Sequence, residues 1–268
     1  MHILFIGYGK TSRRVAKQLF EQGHQITTIS QSPKTDEFAT HLIQDVHQLD
    51  LTHVPAIDWV YVLLSPSQST IEGYQQTYVD SVAPIVAALK QHPIQKIVVV
   101  SSTRVYGENK GERIDDESCI QPVDEQGRLL RQMEQLYQQA FPKQCIIIRP
   151  TGIYGTSVAR MIKLAEITKS YPKVHYSNRI HIDDLARFLA QLIHVEHPEN
   201  SYIVSNNQSI PLHETIQWFQ RQLNLPELVL ESEELSGKRI YATRMEETGF
   251  ELEHKDCFGD YLQMLEKV

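Results

Sequence analysis

The stretch His2-Ile3-Leu4-Phe5-Ile6-Gly7-Tyr8-Gly9-Lys10-Thr11-Ser12-Arg13 decides the fold. Residues 3–6 are an unbroken apolar run, the pattern of a strand buried on both faces of a parallel sheet. The run ends on glycine, any residue, glycine, any two, serine. Val15, Ala16, Leu19 and Phe20 then recur at the spacing of one helical face and predict a helix over 12–22. In such a strand–turn–helix unit the first glycine permits the tight turn, and the second lets a pyrophosphate approach the backbone. The third position needs a small residue so that helix and strand pack closely, and Ser12 is small enough. Amides and dipole at the helix start then favour phosphate. The same spelling also serves a plain strand-to-helix turn whose glycines supply backbone geometry alone.

Working outward, strand-like runs at 25–29, 59–64, 96–100 and 144–149 alternate with amphipathic stretches at 69–91 and 127–140. Pro84 predicts a kink inside the first of these. Strand and helix in alternation imply parallel pairing with right-handed crossovers. The expected fold class is therefore α/β, a Rossmann-type doubly wound parallel sheet with a small α+β C-terminal substrate lobe. Residues 1–155 read as the dinucleotide-binding core, with 179–195 returning to it. Residues 156–178 and 196–268 read as the smaller lobe. Ligands in such sheets bind at the carboxyl ends of the strands, which directs attention to the loops after each run.

Composition narrows the function classes. The chain has 268 residues, 33 acidic and 26 basic, for a net charge of −7. That balance is a poor match to nucleic acid or to anionic membrane. Cys119, Cys145 and Cys257 lie far apart with no paired spacing, which suits a reducing cytoplasm. The twelve histidines are scattered, so no metal site is expected. The N-terminus shows no signal-peptide pattern, and the apolar run at 60–64 is too short to span a bilayer. A soluble, cytoplasmic protein with a small-molecule substrate is the expectation.

Cofactor choice should show at the end of the second strand, where an acid favours NAD. The chain there reads Thr28-Ile29-Ser30-Gln31-Ser32-Pro33-Lys34, with no acid. Lys10, Arg13 and Arg14 stand at the glycine turn, where a cation pairs with a 2′-phosphate. NADP is expected over NAD, although the same three cations also read as solvated. Asp45, after a presumed third strand, is a candidate for adenine and equally an ordinary loop aspartate. The candidate cofactor-binding set is Gly7, Gly9, Lys10, Thr11, Ser12, Arg13, Ser30 and Asp45.

Four further segments stand in order: Ser101-Ser102-Thr103-Arg104-Val105-Tyr106-Gly107, Arg149-Pro150-Thr151-Gly152-Ile153-Tyr154-Gly155, Arg179-Ile180-His181-Ile182-Asp183-Asp184-Leu185-Ala186 and Tyr202-Ile203-Val204. With the glycine turn they resemble the extended short-chain dehydrogenases, the NAD(P)-dependent epimerases and dehydratases of nucleotide sugars. The resemblance spans nearly the whole chain. It implies that Ser102 holds the reacting substrate oxygen, and that the helices in 69–91 and 127–140 pair in a homodimer.

The resemblance fails at one place. The family sets a tyrosine and a lysine one turn apart on the helix after the serine strand, the lysine lowering the tyrosine pKa. Here Gln126 and Leu130 stand at those positions, and neither transfers a proton. Tyr106, Tyr154 and His181 are the candidate substitutes, with histidine nearest in unperturbed pKa. A chain with the cofactor turn but without the pair resembles the atypical subgroup of the superfamily. Two functions are therefore open. One is an NADP-dependent enzyme on a nucleotide-sugar-like or other hydroxyl/carbonyl substrate, with Ser102, Tyr106 and His181 as catalytic candidates. The other is a non-catalytic NADP-binding regulator.

Overall fold

The computed structural model describes residues 1–267. In chain order the first elements are β1 (His2–Ile6), α1 (Lys10–Glu21), β2 (Gln25–Ser30), β3 (Thr40–Ile43) and β4 (Trp59–Val62). Next come α2 (Ile71–Tyr74), a π-helical stretch (Gln75–Asp80), α3 (Val82–Leu89), β5 (Lys96–Val100), β6 (Lys110–Ile114), α4 (Glu125–Ala140) and β7 (Cys145–Pro150). Then follow β8 (Gly152–Tyr154), α5 (Ala159–Ile167), β9 (Ser170–Tyr171), β10 (Val174–Ser177), β11 (Arg179–His181), α6 (Ile182–Gln191) and β12 (Ser201–Val204). The chain closes with β13 (Ile210–Pro211), α7 (Leu212–Gln222), β14 (Val229–Leu230), β15 (Leu235–Ile240), α8 (Thr243–Glu247) and α9 (Cys257–Leu265).

The chain divides into two compact units. The first takes residues 1–107, 120–149 and 186–202; the second takes 108–119, 150–185 and the described chain from 203 onward.

A seven-stranded sheet in the order β12-β7-β5-β4-β1-β2-β3 organises the first unit. The pairs from β3 to β7 are parallel. The β7–β12 bonds, Ile147 amide to Asn200 carbonyl and Thr151 amide to Val204 carbonyl, step forward together along both strands, so this pair is parallel too. This is the doubly wound Rossmann order expected from the apolar runs. The central strands are apolar because both their faces are covered: β1 and β4 are buried at every position. Phe5 stacks on Tyr61 at 4.9 Å, and the Tyr61 hydroxyl donates to the Leu189 carbonyl at 2.9 Å, so its polar tip is satisfied in the core.

The long stretch expected as one helix kinked at Pro84 is instead broken upstream. It runs as α2, the π-helical stretch and α3. Pro84 has no amide for the Asp80 carbonyl, and its ring crowds that turn. The preceding turn absorbs the misfit, and Ser81 donates its hydroxyl back to the Thr77 carbonyl at 2.7 Å.

The second unit has a four-stranded sheet, β13-β10-β15-β6. Its β6 and β15 escape the hydrophobic pattern because they read Lys-Gly-Glu-Arg-Ile and Leu-Ser-Gly-Lys-Arg-Ile. Gly111 and Gly237 both adopt positive φ, and the register shifts beside Gly237. Tyr154, Val158, Ala165, Phe219, Cys257 and Tyr261 form one core cluster of this unit. Asp116 fastens three segments: it accepts the Ile203 amide at 2.6 Å, the Arg244 amide at 3.0 Å and the Thr243 hydroxyl at 3.1 Å. No helix among the described residues is long and apolar enough to cross a membrane.

Candidate nucleotide-binding site

The strand order reverses between β1 and β4, which places a crevice at the carboxyl end of β1. The glycine turn lines it. Gly7 adopts φ +88°, and a Cβ there would collide with the Leu63 carbonyl. Ser12 is buried and donates its hydroxyl to the Gly7 carbonyl at 2.7 Å. It therefore locks the turn from beneath, in a place where a third glycine would leave that carbonyl bare.

Gly9 is the N-cap of α1 and supplies no side-chain acceptor to the helix start; no acid stands in the first turn. The first-turn amides of Lys10 and Thr11 are thus left for an external acceptor at the positive end of the dipole. A Cβ on Gly9 would meet nothing within 4 Å. The space above the helix start is open, as a diphosphate in contact with the backbone requires.

A cleft of about 420 Å³ extends from this turn and is walled by the loops after β1, β2, β3 and β4. Ser30, Lys34, Asp45, His47, Ser65 and Gln76 are among its lining residues. Ser30 donates to the Ser32 carbonyl at 2.8 Å. Asp45 accepts both the backbone amide of His47 at 2.9 Å and its ring at 2.8 Å. Those two bonds hold its carboxyl below the usual range. Asp45 is thus engaged in shaping the wall as well as lining it.

A second hollow of about 410 Å³ shares Tyr8, Gly9 and Lys34 with the cleft and adds Lys10, Arg13 and Asp36. Asp36 went unread in the sequence. It lies six residues past β2, where nothing in the spacing marks it. One oxygen pairs with Arg13 at 2.6 Å, and the other accepts the Tyr8 hydroxyl at 3.0 Å. Burial, and then the bond to Asp36, push the Tyr8 phenol up, so it stays a donor. Arg13 remains largely exposed at 66 % although paired. With three cations and one acid the hollow is net positive. Arg14 turns back onto the Lys10 carbonyl at 3.2 Å.

Ser102 is half-buried at the carboxyl end of β5. Its oxygen accepts the Arg104 amide at 3.2 Å, which leaves its own proton for another acceptor. Tyr106, by contrast, is 1 % exposed, and its hydroxyl accepts from Arg149 Nη1 at 3.2 Å. Arg149 is also held by Glu134 through two bonds of 2.9 Å. Tyr106 belongs to a buried ion-pair network in the core, which removes the solvent access a proton donor to substrate needs.

The helix positions that lost the tyrosine and lysine are equally settled. Gln126 donates to the Ser69 carbonyl at 2.9 Å, and Leu130 is buried in the core. Arg128 and Arg131 pair with Glu125 and Glu134 at 2.9 Å. Met133 and Tyr137 of α4 are buried within the chain itself, while Tyr74 and Tyr78 are half-buried edge-to-face at 5.2 Å.

His181 falls in the second unit, whereas Ser102 and Tyr106 fall in the first. It is 6 % exposed and stacks on His254 at 3.5 Å. A Cβ on Gly155, at φ +101°, would collide with its ring. Nδ1 accepts the Asp183 amide at 3.2 Å, which fixes the neutral ring with its proton on Nε2. Burial, and then His254, lower its pKa. His254 donates to one oxygen of Asp260 at 2.8 Å, and the Tyr154 hydroxyl donates to the other at 2.6 Å. His181, His254 and Asp260 come near enough to suggest a metal site. The two rings lie almost parallel, however, and in-plane lone pairs on stacked rings do not converge on one point. The tail that supplies His254 and Asp260 carries no motif that would have announced them.

The reversed strand order, the bare helix start and the adjoining cationic hollow define a nucleotide-binding protein of the doubly wound α/β class. Residues 7–196 match the family described as NAD(P)H-binding, and the chain belongs to that family, with the fold of its epimerase/dehydratase-like short-chain dehydrogenase members. A provisionally named NAD-dependent epimerase/dehydratase from Methylobacillus flagellatus is 27 % identical, with a TM-score of 0.84 over 99 % of this chain and 98 % of that one. Human epimerase family protein SDR39U1 (isoform 2), with NADPH, is 16 % identical, with a TM-score of 0.79 over 100 % of both chains. UDP-glucuronic acid 4-epimerase from Bacillus cereus, in complex with NAD, is 15 % identical, with a TM-score of 0.79 over 100 % of this chain and 99 % of that one. At such identity the last two share the fold alone. Comparison with curated proteins returns no significant match.

Proposed function

We propose that this protein binds NADP(H) in preference to NAD(H) and uses it on a hydroxyl or carbonyl substrate of the nucleotide-sugar type. The observation that carries the reading is the open helix start at Gly9 beside Lys10, Arg13 and Lys34. The α1 amides would hold the diphosphate, and the net-positive hollow suits a 2′-phosphate better than a bare ribose hydroxyl. The relative with NADPH and the relative acting on UDP-glucuronic acid make both halves of the proposal concrete. Bound nicotinamide would supply hydride chemistry. Ser102 would orient the substrate oxygen, donating the proton that its bond to Arg104 leaves free.

One observation favours a second reading, a dinucleotide-binding regulator without turnover: α4 offers no titratable group where the tyrosine and lysine belong. Fluorescence titration with NADPH and NADH tests the first half. NADPH should bind more tightly, and Lys10→Ala and Lys34→Ala should each cost about 1 kcal/mol, roughly fivefold, on NADPH alone. Tighter binding of NADH sinks the NADP preference. A screen of nucleotide sugars for slow oxidation of NADPH separates enzyme from regulator. Unchanged turnover in Ser102→Ala removes Ser102 from the mechanism.

A further inference from the structure

His47 stands where two hollows meet. It lines the nucleotide cleft, and it also borders a separate hollow of about 480 Å³ edged by Leu49, Leu51, Pro84 and Ala88. Its Nδ1 lies 2.8 Å from Asp45 Oδ1, and its Nε2 lies 2.9 Å from the Gln76 carbonyl oxygen. A backbone carbonyl only accepts. The Asp45 oxygen already takes the His47 backbone amide at 2.9 Å, as an ionised carboxylate does. A neutral imidazole has one N–H to give, so both ring bonds exist together only in the imidazolium. His2 and His41 differ: each sets one ring nitrogen on a backbone carbonyl and the other on a threonine hydroxyl, which can itself donate, so a single ring N–H satisfies both contacts.

The two bonds span different elements. Asp45 and His47 lie in the turn after β3, while Gln76 lies in the π-helical stretch ahead of Pro84. Gln76 and Thr77 line the cleft, as do Asp45 and Val46. The imidazolium is therefore a cross-tie between two walls of the cleft, and a neutral ring would keep only one of its ends.

We propose that His47 is a positioning residue for the dinucleotide: as an imidazolium it ties the turn after β3 to the π-helical stretch, and loss of its proton loosens that wall and weakens binding. The proposal rests on the reading of the cleft as a dinucleotide site. The charged groups around His47 are Asp45 on its own turn, Asp80 on the π-helical stretch, and Asp50 and Lys90 at the rim of the second hollow. The Gln76 carbonyl, opposed by partial burial and helped by Asp45 and then Asp80, raises the ring's pKa. The tie is thus complete below the ordinary histidine pKa and is lost as pH rises through the raised value.

The test follows NADH and NADPH affinity from pH 6.5 to 9 in the wild type and in His47→Gln. NADH matters because it lacks the 2′-phosphate, which itself titrates near pH ~6. Wild type should bind both dinucleotides at least about fivefold more weakly at the top of that range, the low end of ordinary site coupling. His47→Gln should stay within about twofold throughout, at the weaker level, because its single amide group has no titration to lose. Nitrogen chemical shifts of the His47 ring, followed in the cofactor-free protein over the same range, should show both nitrogens mainly protonated at its lower end. A pH-independent affinity in the wild type, or a ring already neutral at pH 6.5, overturns the proposal. Failure of both dinucleotides to bind at any pH overturns the functional reading and the coupling with it. The ring shifts still report separately whether the cross-tie exists.

Discussion

Gly9→Ala should move affinity and stability in opposite directions. Gly9 sits at φ −97° and ψ −163°, an extended conformation open to any residue, and the added methyl would meet nothing within 4 Å. The folded chain therefore accepts alanine without strain. The unfolded chain loses freedom, which stabilises the fold by about 0.4–1 kcal/mol. For a chain of this size that is roughly 1–4 °C in Tm. On the proposed placement, the methyl would occupy the volume through which a diphosphate reaches the first-turn amides. Each charge-assisted bond lost costs about 1.5–3 kcal/mol, and loss of one weakens binding by roughly 10- to 150-fold. A thermal scan of the free protein and calorimetric titration with NADPH read the two effects separately. A folded Gly9→Ala protein that binds within twofold of wild type refutes the placement of the diphosphate over α1.

Three further outcomes follow from the same geometry. Gly7→Ala should lower stability by at least about 2 kcal/mol in urea unfolding, because it combines a left-handed backbone with a collision on the Leu63 carbonyl; unchanged stability would contradict the turn. Arg149→Met should cost about 3–5 kcal/mol, since it strips Glu134 of its buried partner and leaves only the half-exposed Arg131; a smaller loss than Tyr106→Phe would be incompatible with that network. The neutral His181 should make the fold acid-sensitive. Its folded pKa is lowered, so its contribution is present above the unfolded value near ~6.5 and is lost as pH falls below it. Urea midpoints from pH 7.5 to 5 should therefore fall less in His181→Gln than in wild type.

Much of the fold was legible because the buried strands are uniform. Residues 2–6, 59–62 and 96–100 pack on both faces, so their apolar runs map onto β1, β4 and β5 almost residue for residue. The glycine turn was equally readable, since the left-handed backbone and the nearby Leu63 carbonyl at Gly7 exclude any side chain. Long-range pairing hid the rest. The burial of Tyr106 depends on Arg149, 43 residues away, and no local pattern separates a core tyrosine from a catalytic one. Asp36 escaped because its meaning comes from Arg13 and Tyr8 across a loop. The β6–β15 pair escaped because charged and glycine residues carry its strands. The π-helical stretch was half-visible: Pro84 announced a break, but the strain settled one turn earlier than the proline itself.

The way Asp116 fastens its surroundings bears on how the chain is made. The residues it joins, Ile203, Thr243 and Arg244, follow it by 87 to 128 positions. Tyr154 likewise waits 106 positions for Asp260. A chain leaving the ribosome has completed β1 to β5 long before these partners exist, so the first unit can begin to fold during synthesis. The second unit's cluster of Tyr154, Val158, Ala165 and Phe219 stays incomplete until Cys257 and Tyr261 emerge, because both belong to it. Its earlier segments stay partly unpaired until α9 joins them. Removal of α9 should therefore loosen the second unit around Phe219 and Tyr154, read as faster amide exchange there, while the early strands keep their protection.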